Sequence, residues 1–128
     1  YEEKAEVNSD SLYQRYALSL VGQSQENFVL VILNKNKQII FEKILYKGDD
    51  ENVTISPREI IHLLVLHNGY YFYLIHNHPN NSLSPSVSDI TFTEKINKRA
   101  EKIGVKLLDH LIIGQTGYYS FLHSKVFS

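Results

Sequence analysis

The chain has 128 residues, 43% hydrophobic and 21% charged, which suits one domain around one core. Thirteen basic residues against fourteen acidic ones leave a net charge of −1, which argues against tight non-specific binding to DNA, a task that usually needs a basic face, while leaving room for a local patch. There is no cysteine, which excludes disulfides and thiolate metal sites and leaves any metal to His, Asp or Glu. No apolar run approaches the ~20 residues that span a membrane and no signal peptide is visible, so the expectation is a cytoplasmic protein with no membrane role.

The first element is a predicted helix, "SDSLYQRYALSLVG" (9–22), with Ser9 as its cap, Leu12, Tyr16 and Leu20 on one face and Gly22 as its stop. "NFVLVILN" (27–34) and "IIFEKILY" (39–46) are strands joined through "NKNKQ", a hairpin pattern. After a polar loop at 48–54, "SPREIIHLLVLHNG" (56–69) carries strong helix signals. Ser56 is the N-cap, Pro57 suits the first helical position, Glu59 completes a capping box, and Ile60, Leu63 and Leu64 recur at helical spacing with His67. Asn68–Gly69 is a suitable stop. "YYFYLI" (70–75) is a buried-type strand that runs into "HNHPNNSLSPSVSD" (76–89). A helix over 87–103 follows, with Ile90, Ile96, Ala100 and Ile103 as its stripe, then strands at 105–114 and 118–122. The order α, β, β, α, β, α, β, β predicts a mixed sheet flanked by helices, an α/β or α+β fold formed by 1–128 as a single domain.

The stretch after the third strand carries the chemistry. Residues two apart in a strand point to one side, so His76 and His78 converge where the strand ends. Asp89 falls in the first turn of the next helix if Ser86 is its cap, and from there it reaches back to supply a carboxylate. Two imidazoles and a carboxylate suit zinc and leave a fourth position for water, the pattern of a catalytic site; iron or manganese would also be accepted by these donors. Zinc lowers the pKa of its water to about 7, and the proton then needs an acceptor off the metal. Glu26, ahead of the first strand, is the candidate base, Glu42 is the reserve, and Glu59 is committed to capping. The Ser86 hydroxyl is placed to donate to an oxyanion. Taken singly, these residues have ordinary readings: S-V-S-D is a capping motif, and histidines populate surfaces. Together, H-x-H-x7-S-x2-D arises by chance in roughly one chain per thousand of this length.

These residues resemble the RadC family, a bacterial branch of the JAB/MPN metalloenzymes, whose JAMM motif is a distant glutamate followed by H-x-H-x7-S-x2-D. The family's H-N-H-P and P-S-x-x-D stand here as His76–Asn77–His78–Pro79 and Pro85–Ser86 with Asp89; P-R-E is Pro57–Arg58–Glu59, and L-D-H-L-I-I-G is whole at 108–114. "QENFVLVILNKNKQII" (25–40) looks like the family's first hairpin, whose leading glutamate is Glu26. The likeness runs from about residue 10 to 122. It implies a three-layer fold similar to cytidine deaminases, zinc on His76, His78 and Asp89, and hydrolysis of a peptide or isopeptide bond. The usual S-G-D after H-N-H-P is replaced by Asn80–Asn81–Ser82, where Asn81 is expected to take the left-handed turn in place of glycine. The helix–hairpin–helix segment of full-length RadC proteins is not seen, so the DNA-repair link in the family name is not carried over.

Elsewhere, His110 has two readings: a supporting place behind the ligands near the site, or, the favoured one, satisfaction by neighbouring backbone. His62, His67, His123 and Arg58 are expected on the surface. The clustered Tyr70, Tyr71, Tyr73, Tyr118 and Tyr119 are expected to pack in the core and sheet, and a tyrosine-rich edge would also suit a homodimer contact. The leading reading is a zinc hydrolase acting on a peptide or protein. The alternatives are a nucleic-acid-associated accessory module, which the charge does not support, and a non-catalytic interaction domain.

Overall fold

The computed structural model describes residues 5–21, 25–48 and 55–124, so Gly22 and positions 49–54, expected as a helix stop and a loop, lie outside the described residues. The elements come in the expected order: α1 Ser9–Leu20, β1 Glu26–Leu33, β2 Ile39–Gly48, α2 Pro57–Leu66, β3 Tyr71–Asn77, α3 Val87–Lys102, β4 Lys106–Gly114 and β5 Gly117–Ser120. Together they form a five-stranded mixed sheet in the order β2-β1-β3-β4-β5. β1 runs antiparallel to both β2 and β3, β3 and β4 are parallel, and β4 and β5 are antiparallel.

The central strands are buried on both faces, which is why β1 reads as continuous apolar sequence rather than alternating. Leu30, Ile32, Phe72, Leu74 and Ile112 join Ile60, Leu63 and Leu64 of α2 and Ile96 and Ala100 of α3 in one cluster. On the other face, Val29, Val31, Tyr73, Ile75, Leu111 and Ile113 pack with Leu12 and Leu20 of α1. The result is three layers, with α2 and α3 on one side of the sheet and α1 on the other. Among the described residues, no helix is long and apolar enough to cross a membrane.

Several local expectations change. The cap of α1 is Asn8, whose side chain accepts from the Ser11 N–H at 2.8 Å; Ser9 donates instead to Asp109 at 2.9 Å. Ser56 caps α2 as expected, but Glu59 turns its carboxylate to Lys43 Nζ at 3.1 Å, so the expected second half of that capping box is not formed. α2 ends at Leu66, with His67 stacked on Phe41 at 3.8 Å between centroids. Asn68 takes the left-handed conformation, while Gly69 is required for space: a Cβ there would lie 2.5 Å from Ile32 Cγ2. Ile103 is the C-cap of α3 and exposed, not part of its buried stripe. β5 stops at Ser120, two residues before its expected end. Tyr73 is buried and Tyr71, Tyr118 and Tyr119 pack against the cores, whereas Tyr70 is exposed.

Candidate metal centre

β3 extends two residues beyond its expected end, so His76 lies inside the sheet and His78 just past it. His76 follows Phe72 and Leu74 by the period of two and therefore faces α3. α3 begins beside it. Ser86 Oγ accepts the Asp89 N–H at 3.0 Å, and Asp89 Oδ2 accepts the Ser86 N–H at 2.9 Å. This reciprocal cap fixes the Asp89 carboxylate at the helix mouth, facing the end of β3.

The three side chains meet. His76 Nε2 lies 3.1 Å from His78 Nε2 and 3.6 Å from Asp89 Oδ2, and His78 Nε2 lies 3.2 Å from Asp89 Oδ2. A tetrahedral ion with arms of about 2.0–2.1 Å separates its ligand atoms by roughly 3.3–3.4 Å, so this triangle matches what such an ion needs. The chemistry of the donors agrees. His78 Nδ1 contacts the Ser82 carbonyl at 3.0 Å, and a carbonyl only accepts, so Nδ1 carries a proton and the neutral ring presents a lone pair at Nε2. That lone pair faces a carboxylate oxygen, an arrangement that calls for a cation or a proton between them. The hydrogen bond to Asp89 raises the His78 pKa against the effect of burial. For Asp89, burial alone would raise the pKa, but its contacts with His76 and His78 prevail and hold it far below the usual carboxylate range.

Glu26 completes the group. The antiparallel pairing of β1 with β3 sets Phe28 opposite His76, and Glu26 Oε1 then lies 4.0 Å from His76 Nε2. Glu26, His76 and His78 can by themselves bring one ligand atom each within 4.8 Å of one another. Asp89 Oδ2 stands closer to His76 Nε2 than Glu26 Oε1 does, 3.6 Å against 4.0 Å, and lies 3.2 Å from His78 Nε2. Glu42, the reserve base, is committed elsewhere: its two oxygens accept from Arg15 Nε at 2.8 Å and Nη2 at 2.7 Å, and it also bonds Tyr16. Ser86 is exposed and acts as the helix cap, with its hydroxyl 3.1 Å from Ser88 Oγ. Asn81 adopts the left-handed conformation expected of it, at φ 61°.

Further residues support this group. His110 is not satisfied by backbone, as had been expected. Its Nε2 lies 2.8 Å from His76 Nδ1 and its Nδ1 lies 2.6 Å from the Thr93 hydroxyl. Burial, and after it the nearby His76, push its pKa well below the ordinary imidazole value. Phe28 stacks on His76 at 5.2 Å and Phe121 on His110 at 4.3 Å, pinning both rings. Asn77, between the two histidines, is buried and ties β3 to the segment around Glu26: its Oδ1 accepts the Asn27 N–H at 2.7 Å and its Nδ2 donates to the Gln25 carbonyl at 3.0 Å. Asp109 is buried and accepts from Ser9 Oγ, Ser120 Oγ and the N–H groups of His110 and Leu122. A signal existed for His110 and Asp109, which sit side by side in a strand and so face opposite layers. For Asn77 there was none, because strand polarity alone does not say which neighbour a side chain will bridge.

Residues 7–126 match the model of the RadC-like JAB domain. The chain belongs to this family. Among curated proteins, a UPF0758 protein of Streptococcus suis is 37% identical over 115 residues, covering 90% of this chain and 47% of the relative. One of Latilactobacillus sakei is 40% identical over 114 residues, covering 89% and 51%. One of Enterococcus faecalis is 34% identical over 122 residues, covering 95% and 53%. The chain thus spans about half the length of these relatives, and their shared name states no activity. Within the RadC-like JAB frame, the L-D-H-L-I-I-G stretch lies wholly within β4, and its last residue has a steric task. A Cβ on Gly114 would lie 2.6 Å from Leu83 Cδ2 and 3.0 Å from the Asn81 carbonyl, so glycine lets the loop that orients His78 pack down on β4.

Proposed function

We propose that this RadC-like JAB domain is a zinc-dependent hydrolase of the JAMM type that cleaves a peptide or isopeptide bond. The observation that carries the reading is the triangle of His76 Nε2, His78 Nε2 and Asp89 Oδ2, with Glu26 Oε1 4.0 Å from the first of them. His76, His78 and Asp89 would hold the ion. A bound divalent ion supplies Lewis acidity, bringing a water's pKa from 15.7 to about 7 and polarising a carbonyl. Glu26 takes the proton of the attacking water, an O–C bond forms, the C–N bond breaks, and Glu26 passes the proton to the leaving nitrogen. Ser86 keeps its oxygen on the Asp89 N–H and directs its hydroxyl hydrogen toward the developing oxyanion.

The test begins with metal content after purification without added metal. The expectation is one equivalent of zinc in the natural sequence and little in Asp89→Ala. Cleavage is then followed on peptide-linked and isopeptide-linked substrates, where chelation should abolish turnover and zinc restore it. Zinc that stays at one equivalent in Asp89→Ala would refute the ligand set. A zinc-loaded protein that cuts neither class of bond would refute the hydrolase.

A further inference from the structure

We infer that Thr93 and His110 are positioning residues for the metal: together with the backbone carbonyl of Asp89 they form a one-way hydrogen-bond chain that fixes His76 with its proton on Nδ1 and its lone pair on Nε2. This deepens the metal-centre reading and relies on it for the affinity measurement below.

The direction of the chain follows from counting protons. The Thr93 hydroxyl lies 2.7 Å from the Asp89 carbonyl, which can only accept, so the single hydroxyl hydrogen is used there. Thr93 Oγ1 must then be the acceptor in its 2.6 Å contact with His110, and His110 Nδ1 carries a hydrogen. His110 is completely buried, and neither of its ring nitrogens is hydrogen-bonded to a carboxylate, so the neutral form with one proton is favoured. Its Nε2 is therefore an acceptor, and the 2.8 Å contact with His76 requires the proton to sit on His76 Nδ1. The lone pair that remains to His76 is on Nε2, the atom that faces His78 and Asp89.

The chain also closes on itself. Thr93 is one helical turn after Asp89, and all of Thr93, His76 and His110 are fully buried. The carbonyl that ends the chain belongs to the residue whose carboxylate is proposed as a ligand. Two ligands on different elements are therefore held in one rigid circuit through β4, with His110 clamped by Phe121. Hydrogen bonds behind metal-bound imidazoles set ring orientation and basicity, and their loss weakens metal binding by about 10–100-fold.

Competition with a chromogenic chelator gives the zinc dissociation constant of each variant. Thr93→Val should raise it about 10–100-fold, and Thr93→Ser, which keeps the hydroxyl, should stay within about threefold of the natural sequence. A Thr93→Val protein that melts like the natural metal-free one and binds zinc equally well would overturn the inference. If Thr93→Val does not fold, nitrogen-15 NMR of the natural protein decides: protons on Nδ1 of both His76 and His110 are expected, and a proton on Nε2 of either neutral ring overturns it. A natural sequence that takes up no zinc would refute the proposed function, while the NMR pattern would still decide the chain.

Discussion

Glu26 and Asp89 are both carboxylates within reach of His76, and their surroundings differ. Asp89 is held by its helix cap and faces both imidazole nitrogens, whereas Glu26 stands further off at 4.0 Å. On the proposed assignment, Glu26→Gln retains one equivalent of zinc and loses about 10²–10⁴-fold in turnover, checked by metal analysis and a cleavage assay on the same sample. Asp109 makes a prediction about stability. Asp109→Ala strands the hydroxyls of Ser9 and Ser120 and the N–H groups of His110 and Leu122, and should cost about 3 kcal/mol in a denaturant titration. At this scale the sequence was informative where spacing was the message. His76, His78 and Asp89 meet as their intervals suggested. His110 was misjudged because its partners, His76 and Thr93, come from two other elements, and nothing local in "LDHLI" names them.

Elements carry the site through their ends. The cap of α3 illustrates how an ordinary reading and a functional one can coexist: Ser86 and Asp89 form a complete capping box, and that box aims the carboxylate at the two imidazoles. Seeing the motif as a cap was therefore correct without being an argument against chemistry. Strand ends were harder to read. β3 continues through His76 and Asn77 because both pair with β4, and polar residues within a buried strand look like loop when viewed alone. The same applies to α1, where Asn8 and Ser9 are equally good caps by type and the pull of Asp109 on Ser9 decides between them. Gly114→Ala tests the loop against its strand. The added methyl should push Leu83 and Asn81 outward, cost about 1–3 kcal/mol, and weaken zinc binding by disturbing the Ser82 carbonyl that orients His78. Destabilisation with unchanged zinc affinity would show that the loop tolerates the shift.

Over the whole molecule, the element order was legible but the sheet order was not. Parallel pairing of β3 with β4 follows from the crossover through α3, while the choice of β3 as the second neighbour of β1 has no local signature. That choice brings Glu26 to the site. Metal should couple to global stability: at a hundredfold excess over Kd, zinc adds about 2.7 kcal/mol and raises Tm by on the order of 10 °C. The gain depends on pH with a definite sign. In the metal-free chain Asp89 raises the His78 pKa, so the ion pair stabilises fully below the ordinary imidazole pKa of about 6.5 and fades as pH rises through the raised value. Zinc requires the neutral ring, so its effect runs the other way. The zinc-induced rise in Tm should shrink between pH 8 and pH 6 in calorimetry; a constant rise would argue against His78 as a ligand.

The antiparallel neighbour relation of β1 and β3 has one more consequence. On the proposed function, it draws the proton carrier from a different piece of chain than the atoms that would grip the ion, so capture and cutting would be separable by a single exchange at position 26. A Glu26→Gln chain would become a bait, able to hold the polypeptide it can no longer sever.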